Sequence, residues 1–385
     1  MKSLASENLT KARLFIFTLF LFFMPLFSET LRVTNLFHIS FGLFLLSLLV
    51  SKPFRAQLAS DANLLKGMAA IGLFLAYFSL SNLWSDNPGN ISSTLKHSLY
   101  LLVFVALIAQ LKNKVSYSVL FASITLLCLL TLWYVDKNRL LTHRLTHGFY
   151  AAPENVIDLA GYFGVGIFCG LMLIRETGRH IFYLPIALLF GAMLLTQSRG
   201  PVLALAIALL PLLLRFHKGH TRHLLIAAAL FIAIAFLAWF THYSDELIAR
   251  IVASYQQSFV RFGIWSHTLE VALQKPWFGW GFDKNLMFVN SIGQHIHTTH
   301  SIYFSSLLKG GFVGLFILLA MIAYGLYRAR LHFKHGQELE ACLFCFSLLF
   351  YLTQGMFIIG NPDTYWLMFW LPYALVLAPV KRQIN

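Results

Sequence analysis

About twelve apolar stretches of near-spanning length recur along this chain, and that recurrence constrains it more than any single motif. A helix needs about 20 apolar residues to cross the hydrocarbon of a bilayer. Within the bilayer every backbone N–H and C=O must be satisfied by its own helix or by a closed barrel. The runs fall at approximately 14–28, 36–50, 67–83, 97–110, 116–134, 157–174, 180–197, 201–215, 223–240, 301–326, 341–359 and 364–379. Only 11% of the 385 residues are charged, against about 25% in a soluble domain. The sequence therefore predicts an all-α polytopic membrane protein, a single membrane domain over 1–385. Lys2, Lys11 and Arg13 precede the first run as they would in a secretory signal. No small-residue cleavage site follows it and further spans do, so a retained first helix is expected.

Lysine and arginine set the expected orientation. One set of turns carries Lys52, Arg55, Lys66, Lys112, Lys114, Arg175, Arg179, Arg215, Lys218, Arg222, Arg328, Arg330, Lys334, Lys381 and Arg382, whereas the opposite short turns hold little beyond Arg32, Lys96 and Arg199. Both termini are expected in the cytoplasm. Two longer outer segments, 135–156 and 241–300, break the trend with Lys137, Arg139, Arg144, Arg250, Arg261, Lys275 and Lys284, positive charge that suits an anionic substrate. In the second, an amphipathic stretch runs from Asp245 through Phe259. Another follows from about Arg261 to Leu273, and Gly279-Trp280-Gly281 then forms a turn. These helices are expected to lie on the outer surface as a periplasmic cap. Most of the formal charge of +14 sits in the cytoplasmic turns, where it meets anionic membrane lipid, so no nucleic-acid partner is expected. Cys128, Cys169, Cys342 and Cys345 all fall inside apolar runs. The CxxC spacing of the last pair reads as packing within a helix, and neither a disulfide nor zinc is indicated.

Three segments could carry chemistry. Thr196-Gln197-Ser198-Arg199-Gly200-Pro201 joins two apolar runs almost without a spacer, so Arg199 lies at or just below the outer surface. An arginine there either snorkels to the interface or points inward at an anion, and the small, tight Gly200-Pro201 favours the second reading. In Arg261-Phe262-Gly263-Ile264-Trp265, an arginine opening a helix opposes the macrodipole unless an anion lies between them; plain solvation is the alternative. His295-Ile296-His297-Thr298-Thr299-His300 runs straight into an apolar run interrupted at Gly310-Gly311. A histidine at a membrane helix mouth can accept a hydroxyl proton near neutral pH. His297 and His300, three apart, could also share a helix face and raise a metal site, but no carboxylate or cysteine stands nearby at ligand spacing. The outer acids contain no Asp-x-Asp of the kind metal-using glycosyltransferases need, and two guanidinium groups can neutralise a departing pyrophosphate instead.

Together these residues resemble the O-antigen ligases, often called WaaL. The resemblance rests on Ser198-Arg199-Gly200, on Arg261-Phe262-x-x-Trp265 with Gly279-Trp280-Gly281, and on His300 followed by Gly311. Ser81-Asn82-Leu83-Trp84-Ser85 before Asp86-Asn87-Pro88 is similar to an outer turn of that family. The superfamily also holds Wzy-type O-antigen polymerases and protein O-oligosaccharyltransferases; the latter carry a further C-terminal region that this chain is expected to lack. The resemblance implies a glycosyltransferase that moves a glycan from undecaprenyl pyrophosphate to a lipid A–core sugar hydroxyl, inverting the anomeric carbon without metal or cofactor. It implies that Arg199 and Arg261 hold the pyrophosphate and that His300 activates the acceptor. His297, Trp265 and Tyr303 are expected to line the substrate site. A transporter, the alternative from another class, would place its charges deep inside the spans, whereas these cluster at outer helix ends.

Overall fold

A computed structural model describes residues 2–28, 30–111, 113–136, 144–145, 153–215, 260–290, 293–354 and 357–380. Among them the chain is almost entirely helical: α1 (Lys2–Phe23), α2 (Leu31–Val50), α3 (Lys52–Ser60), α4 (Ala62–Leu80), α5 (Ile91–Gln110), α6 (Asn113–Tyr134), α7 (Val156–Thr177), α8 (Tyr183–Leu195), α9 (Arg199–Arg215), α10 (260–272), α11 (Ile302–Lys334), α12 (Glu338–Thr353) and α13 (Trp366–Leu377). One antiparallel ribbon pairs Phe288–Val289 with His295–Ile296. Six helices are long and apolar enough to cross a membrane, and three shorter apolar helices, His180–Leu195, Arg199–Leu212 and Trp366–Leu377, join them. The protein is thus an all-α, multi-pass membrane protein.

Every expected apolar run coincides with a helix except 223–240, which lies outside the described residues, as does the stretch from Asp245 to Phe259. The differences are at the ends. The run expected to stop at 326 continues to Lys334, and the one expected to reach 359 stops at Thr353. Residues 52–60, expected as a basic turn, form α3 instead. Ser51 caps it by accepting from the Phe54 N–H, Pro53 fits its first turn, and buried Phe54 anchors it. Asp61 then caps α4 through the N–H groups of Asn63 and Leu64, both at 3.0 Å.

Aromatic packing holds the bundle centre. Trp366, fully buried, meets Phe37, Phe104 and Phe20 with ring centroids 4.7, 4.9 and 6.0 Å away. One end of the bundle is pinned by buried polar groups. Arg175 of α7 forks onto Glu340 of α12 at 2.5 and 2.7 Å, and Tyr117 of α6 donates to the same carboxylate at 2.8 Å. Arg13 lies over the Phe54 ring and donates to Gln110.

The opposite end is built around a broken helix. Gly311 inside α11 has φ 63° and ψ −163°, which interrupts the helical ladder. The carbonyls of Leu308 and Lys309 and the N–H groups of Phe312 and Val313 then lack helical partners, and the segment 276–281 supplies them. Trp280 and Gly281 N–H donate to Leu308 and Lys309 O at 3.0 and 2.8 Å, and Phe312 and Val313 N–H donate to Pro276 and Trp277 O at 2.7 and 3.1 Å. Two backbones can approach this closely only where side chains are missing: a Cβ on Gly279 would sit 2.5 Å from Gly311 N, and one on Gly311 would overlap the Trp277 carbonyl. Trp84 Nε1 of the Ser81–Trp84 turn donates to Phe278 O in the same segment, and Asn90 of the next turn, Pro88–Asn90, donates through Nδ2 to Asp283 just beyond it. Gly311→Ala combines that overlap with a left-handed backbone and is expected to cost about 1–3 kcal/mol or more. Gly42→Ala, inside α2 where a Cβ meets nothing within 4 Å, should leave stability unchanged or raise it by up to about 1 kcal/mol. Thermal unfolding of the two variants in one detergent checks this; equal midpoints would contradict it.

Candidate active site

The end that holds the broken helix also gathers the N-termini of α7, α9 and α11 with the C-termini of α8 and α12. Two groups of side chains converge there.

The first is the turn between α8 and α9. Thr196 Oγ1 donates to Met193 O at 2.6 Å and accepts from Ser198 N–H at 3.2 Å, which reverses the chain within three residues. Gln197 takes φ 54° to complete the turn. Arg199 opens α9 with its side chain exposed, and Gly200 lies so near α12 that a Cβ would come 3.3 Å from Thr353 Oγ1. Arg144, remote in sequence, clamps this turn: its Nε donates to Thr196 O at 3.1 Å and Nη2 to Ser198 Oγ at 3.0 Å. Leu145 N–H donates to Leu195 O beside it. Partial burial, and then the positive charge of Arg199, push the Arg144 guanidinium below its usual pKa. Two positive charges near enough to act on one another suit an anion.

The second group surrounds His300. The ribbon delivers His295–Ile296, after which the chain is extended rather than helical. His297 is exposed, and it does not share a helix face with His300, so the geometric premise of a paired metal site is corrected. Thr299 is buried, donates to Ser301 O at 2.8 Å and shares a hydrogen bond with Ser305 Oγ at 2.7 Å. His300 itself, half-buried, has φ 49°, and Ser301 then returns to extended geometry at the residue before α11. Gln197 and His300 are the two non-glycine residues with positive φ among the described residues. Such conformations cost about 1–3 kcal/mol and persist only where the surroundings impose them.

Trp265 of α10 does the imposing at His300. Its Nε1 donates to Thr299 O at 3.1 Å, and its ring stacks on Phe304 at 5.4 Å. Arg261 stands one turn earlier on α10, half-buried; burial holds its pKa below the usual value. Residues before 260 lie outside the described residues, so the expected N-terminal position of Arg261 falls there too. Burial first, and the Arg261 charge second, depress the His300 pKa from its ordinary value. Tyr303 OH donates to Leu348 O of α12 at 3.3 Å. α12 therefore lies between the two groups, touching Gly200 on one flank and Tyr303 on the other.

The structure thus brings Arg261, Trp265, His300 and Tyr303 into one cluster, sets Arg199 with Arg144 across α12, and leaves His297 at the surface. Arg144 was visible in the sequence only as one of several positive charges in the outer segment 135–156; nothing in its neighbours marks it. Chemically, an imidazole beside the Arg261 guanidinium can act as a proton acceptor, and the Arg144–Arg199 pair on the other side of α12 can attract an anion.

The family described as O-antigen ligase matches residues 184–319, which run from α8 through the His300 turn into α11. An O-antigen ligase of Pseudomonas aeruginosa strain PAO1 is 30% identical over 349 residues, covering 86% of this chain and 83% of that protein.

Proposed function

Because the chain belongs to the O-antigen ligase family, an enzyme family of lipopolysaccharide assembly, we propose that it transfers a glycan from undecaprenyl pyrophosphate to a sugar hydroxyl of the lipid A–core. The reaction inverts the anomeric carbon and uses no metal. It takes place on the periplasmic side of the bacterial inner membrane, within one domain of about twelve spans whose termini are both cytoplasmic and whose 241–300 segment forms a helical cap.

The observation that carries this reading is the half-buried His300 with a depressed pKa, held in a strained turn beside Arg261. A sugar hydroxyl is a poor nucleophile at neutral pH, and a base must take its proton as the new bond forms. Neutral His300 accepts that proton while the acceptor oxygen attacks the anomeric carbon. The carbon–oxygen bond to pyrophosphate breaks, and the leaving group departs with the electron pair into the field of Arg261, Arg199 and Arg144. Both substrates carry chains in the same bilayer, so lateral diffusion aligns them. Trp265 and Tyr303 shape the pocket by holding Thr299 and α12; His297 contacts the acceptor from the surface.

The lipopolysaccharide profile of a deletion strain tests the reading. A ligase defect leaves bare core while lipid-linked polymer accumulates. Core bearing a single repeat unit would indicate a polymerase instead.

The pKa arrangement adds a pH prediction. The base works when neutral, so kcat/KM is flat at neutral pH and falls as pH drops through the His300 pKa, below the ordinary histidine value. Arg261→Gln removes a positive charge that depresses this pKa, so the acid limb of the normalised profile should move to higher pH. An unmoved limb would show that another group titrates.

A further inference from the structure

Lys309 is a charge inside an apolar helix, about 10 Å along α11 from Ile302 and immediately before the Gly310-Gly311 interruption. An amine at such a place is costly unless it is paired, so its partners indicate its use. Lys309 Nζ donates to Phe282 O and, at 2.8 Å, to Lys284 O. The Phe282 and Phe357 rings lie 5.5 and 5.7 Å from it. Asp283, between the two acceptors in sequence, supplies a balancing negative charge. Its carboxylate is held in turn by Asn90 Nδ2, 3.1 Å from both oxygens.

The route of the chain gives this anchor its meaning. From α10, which carries Arg261 and Trp265, the backbone ladders with the helix break through 276–281 and meets Lys309 at 282–284. Four residues on from Lys284 it enters the ribbon of Phe288–Val289 with His295–Ile296, which delivers His300 to the start of α11. Leu286 and Ile296 pack with Ile264 of α10 and with Leu307 and Leu308, the two residues before Lys309. α10, the ribbon and residues 302–310 are therefore one packed unit. Arg261 and His300 need such a unit, because two cations drift apart unless they are held, and His300 becomes the second cation when it takes a proton. Of the titratable groups around His300, His297 is exposed and Tyr303 donates to Leu348 O; Arg261 is the charge that acts on the imidazole. We infer that Lys309 is a positioning residue: by anchoring 282–284 to residues 302–310, it fixes Arg261 of α10 against His300. This rests on the His300 base proposed above.

The test reads the protonation of His300 without turnover. The full chain in nanodiscs is treated with diethyl pyrocarbonate across a pH series, and carbethoxylation of the His300 peptide is quantified by mass spectrometry. Lys309→Met keeps an apolar stem but loses the donors and the charge. The His300 midpoint is expected to rise, as in Arg261→Gln, and kcat to fall about tenfold or more with KM within about twofold. The double variant should move the midpoint no further than Arg261→Gln alone, because both changes act through one contact. Lys284→Met removes a neighbouring cation but leaves the carbonyl that Lys309 bonds, so it should leave the midpoint in place. An unmoved midpoint in Lys309→Met, additive shifts in the double variant, or an equal shift in Lys284→Met would overturn the inference. If Lys309→Met does not fold, Lys309→Gln, whose amide can still donate to one carbonyl, takes its place and must move the midpoint in the same direction. If the wild type transfers no glycan, the activity reading fails, and the His300 midpoints still decide the role of Lys309.

Discussion

His300→Gly is expected to lower glycan transfer by about 10²–10⁴-fold while lipid-linked donor still binds with near-normal affinity. Only the proton acceptor is removed, and the guanidinium groups that meet the donor head remain. Glycine is the informative replacement because residue 300 has φ 49°. A glycine adopts that backbone without strain, so thermal stability should hold or rise. A rate loss without a loss of stability then belongs to chemistry. His300→Ala should lose the same activity but also some stability, because alanine is strained at this φ. His297→Ala, at an exposed position outside the His300 turn, should have a much milder effect. Single-turnover transfer, with donor binding measured separately, checks the series; donor binding that falls in parallel with the His300→Gly rate would show a binding role instead.

Arg199→Lys is expected to cost about 10²–10³-fold in kcat, far more than a conservative change at a surface position. Lysine keeps the charge but lacks the planar fork that grips two phosphate oxygens. Its neighbour makes the effect specific. Arg144 already commits Nε and Nη2 to Thr196 O and Ser198 Oγ, so it fixes the turn and cannot swing in to replace the missing fork. Arg144→Ala should lower activity and stability together, whereas Arg199→Lys, at an exposed helix start, should leave the unfolding midpoint in place. A mild kcat effect for Arg199→Lys would remove it from the clamp.

The features that were legible in the sequence are those set by local physics. Apolar run length located the helices, and Gly279-Trp280-Gly281 and Gly310-Gly311 announced a turn and an interruption. That the two glycine pairs face each other across a backbone ladder is a long-range fact, and no periodicity encodes it. Helix α3 was hidden because Lys52 and Arg55 read as topology charges, although Ser51 and Pro53 are ordinary helix-start signals. Arg199, Arg261 and His300 stood out as charged or titratable groups next to apolar runs. The spacing of His297 and His300 suggested a shared helix face because the left-handed turn at His300 leaves no compositional mark; glycine, its usual sign, is absent. Arg144 was obscured for the opposite reason: its partners, Thr196 and Ser198, lie more than fifty positions away, and only the folded α8–α9 turn brings them to it.

The central claim is that this chain transfers a lipid-linked glycan with a histidine base and guanidinium groups in place of a metal. Its most direct test is reconstitution: the purified chain in nanodiscs, given undecaprenyl-pyrophosphate-linked glycan and lipid A–core in the presence of EDTA. The account predicts that glycan appears on the core while undecaprenyl pyrophosphate is released in equal amount, and that the His300→Gly protein gives neither product. Loss of wild-type transfer in EDTA that added divalent metal restores, or near-normal transfer by the His300→Gly protein, would contradict it.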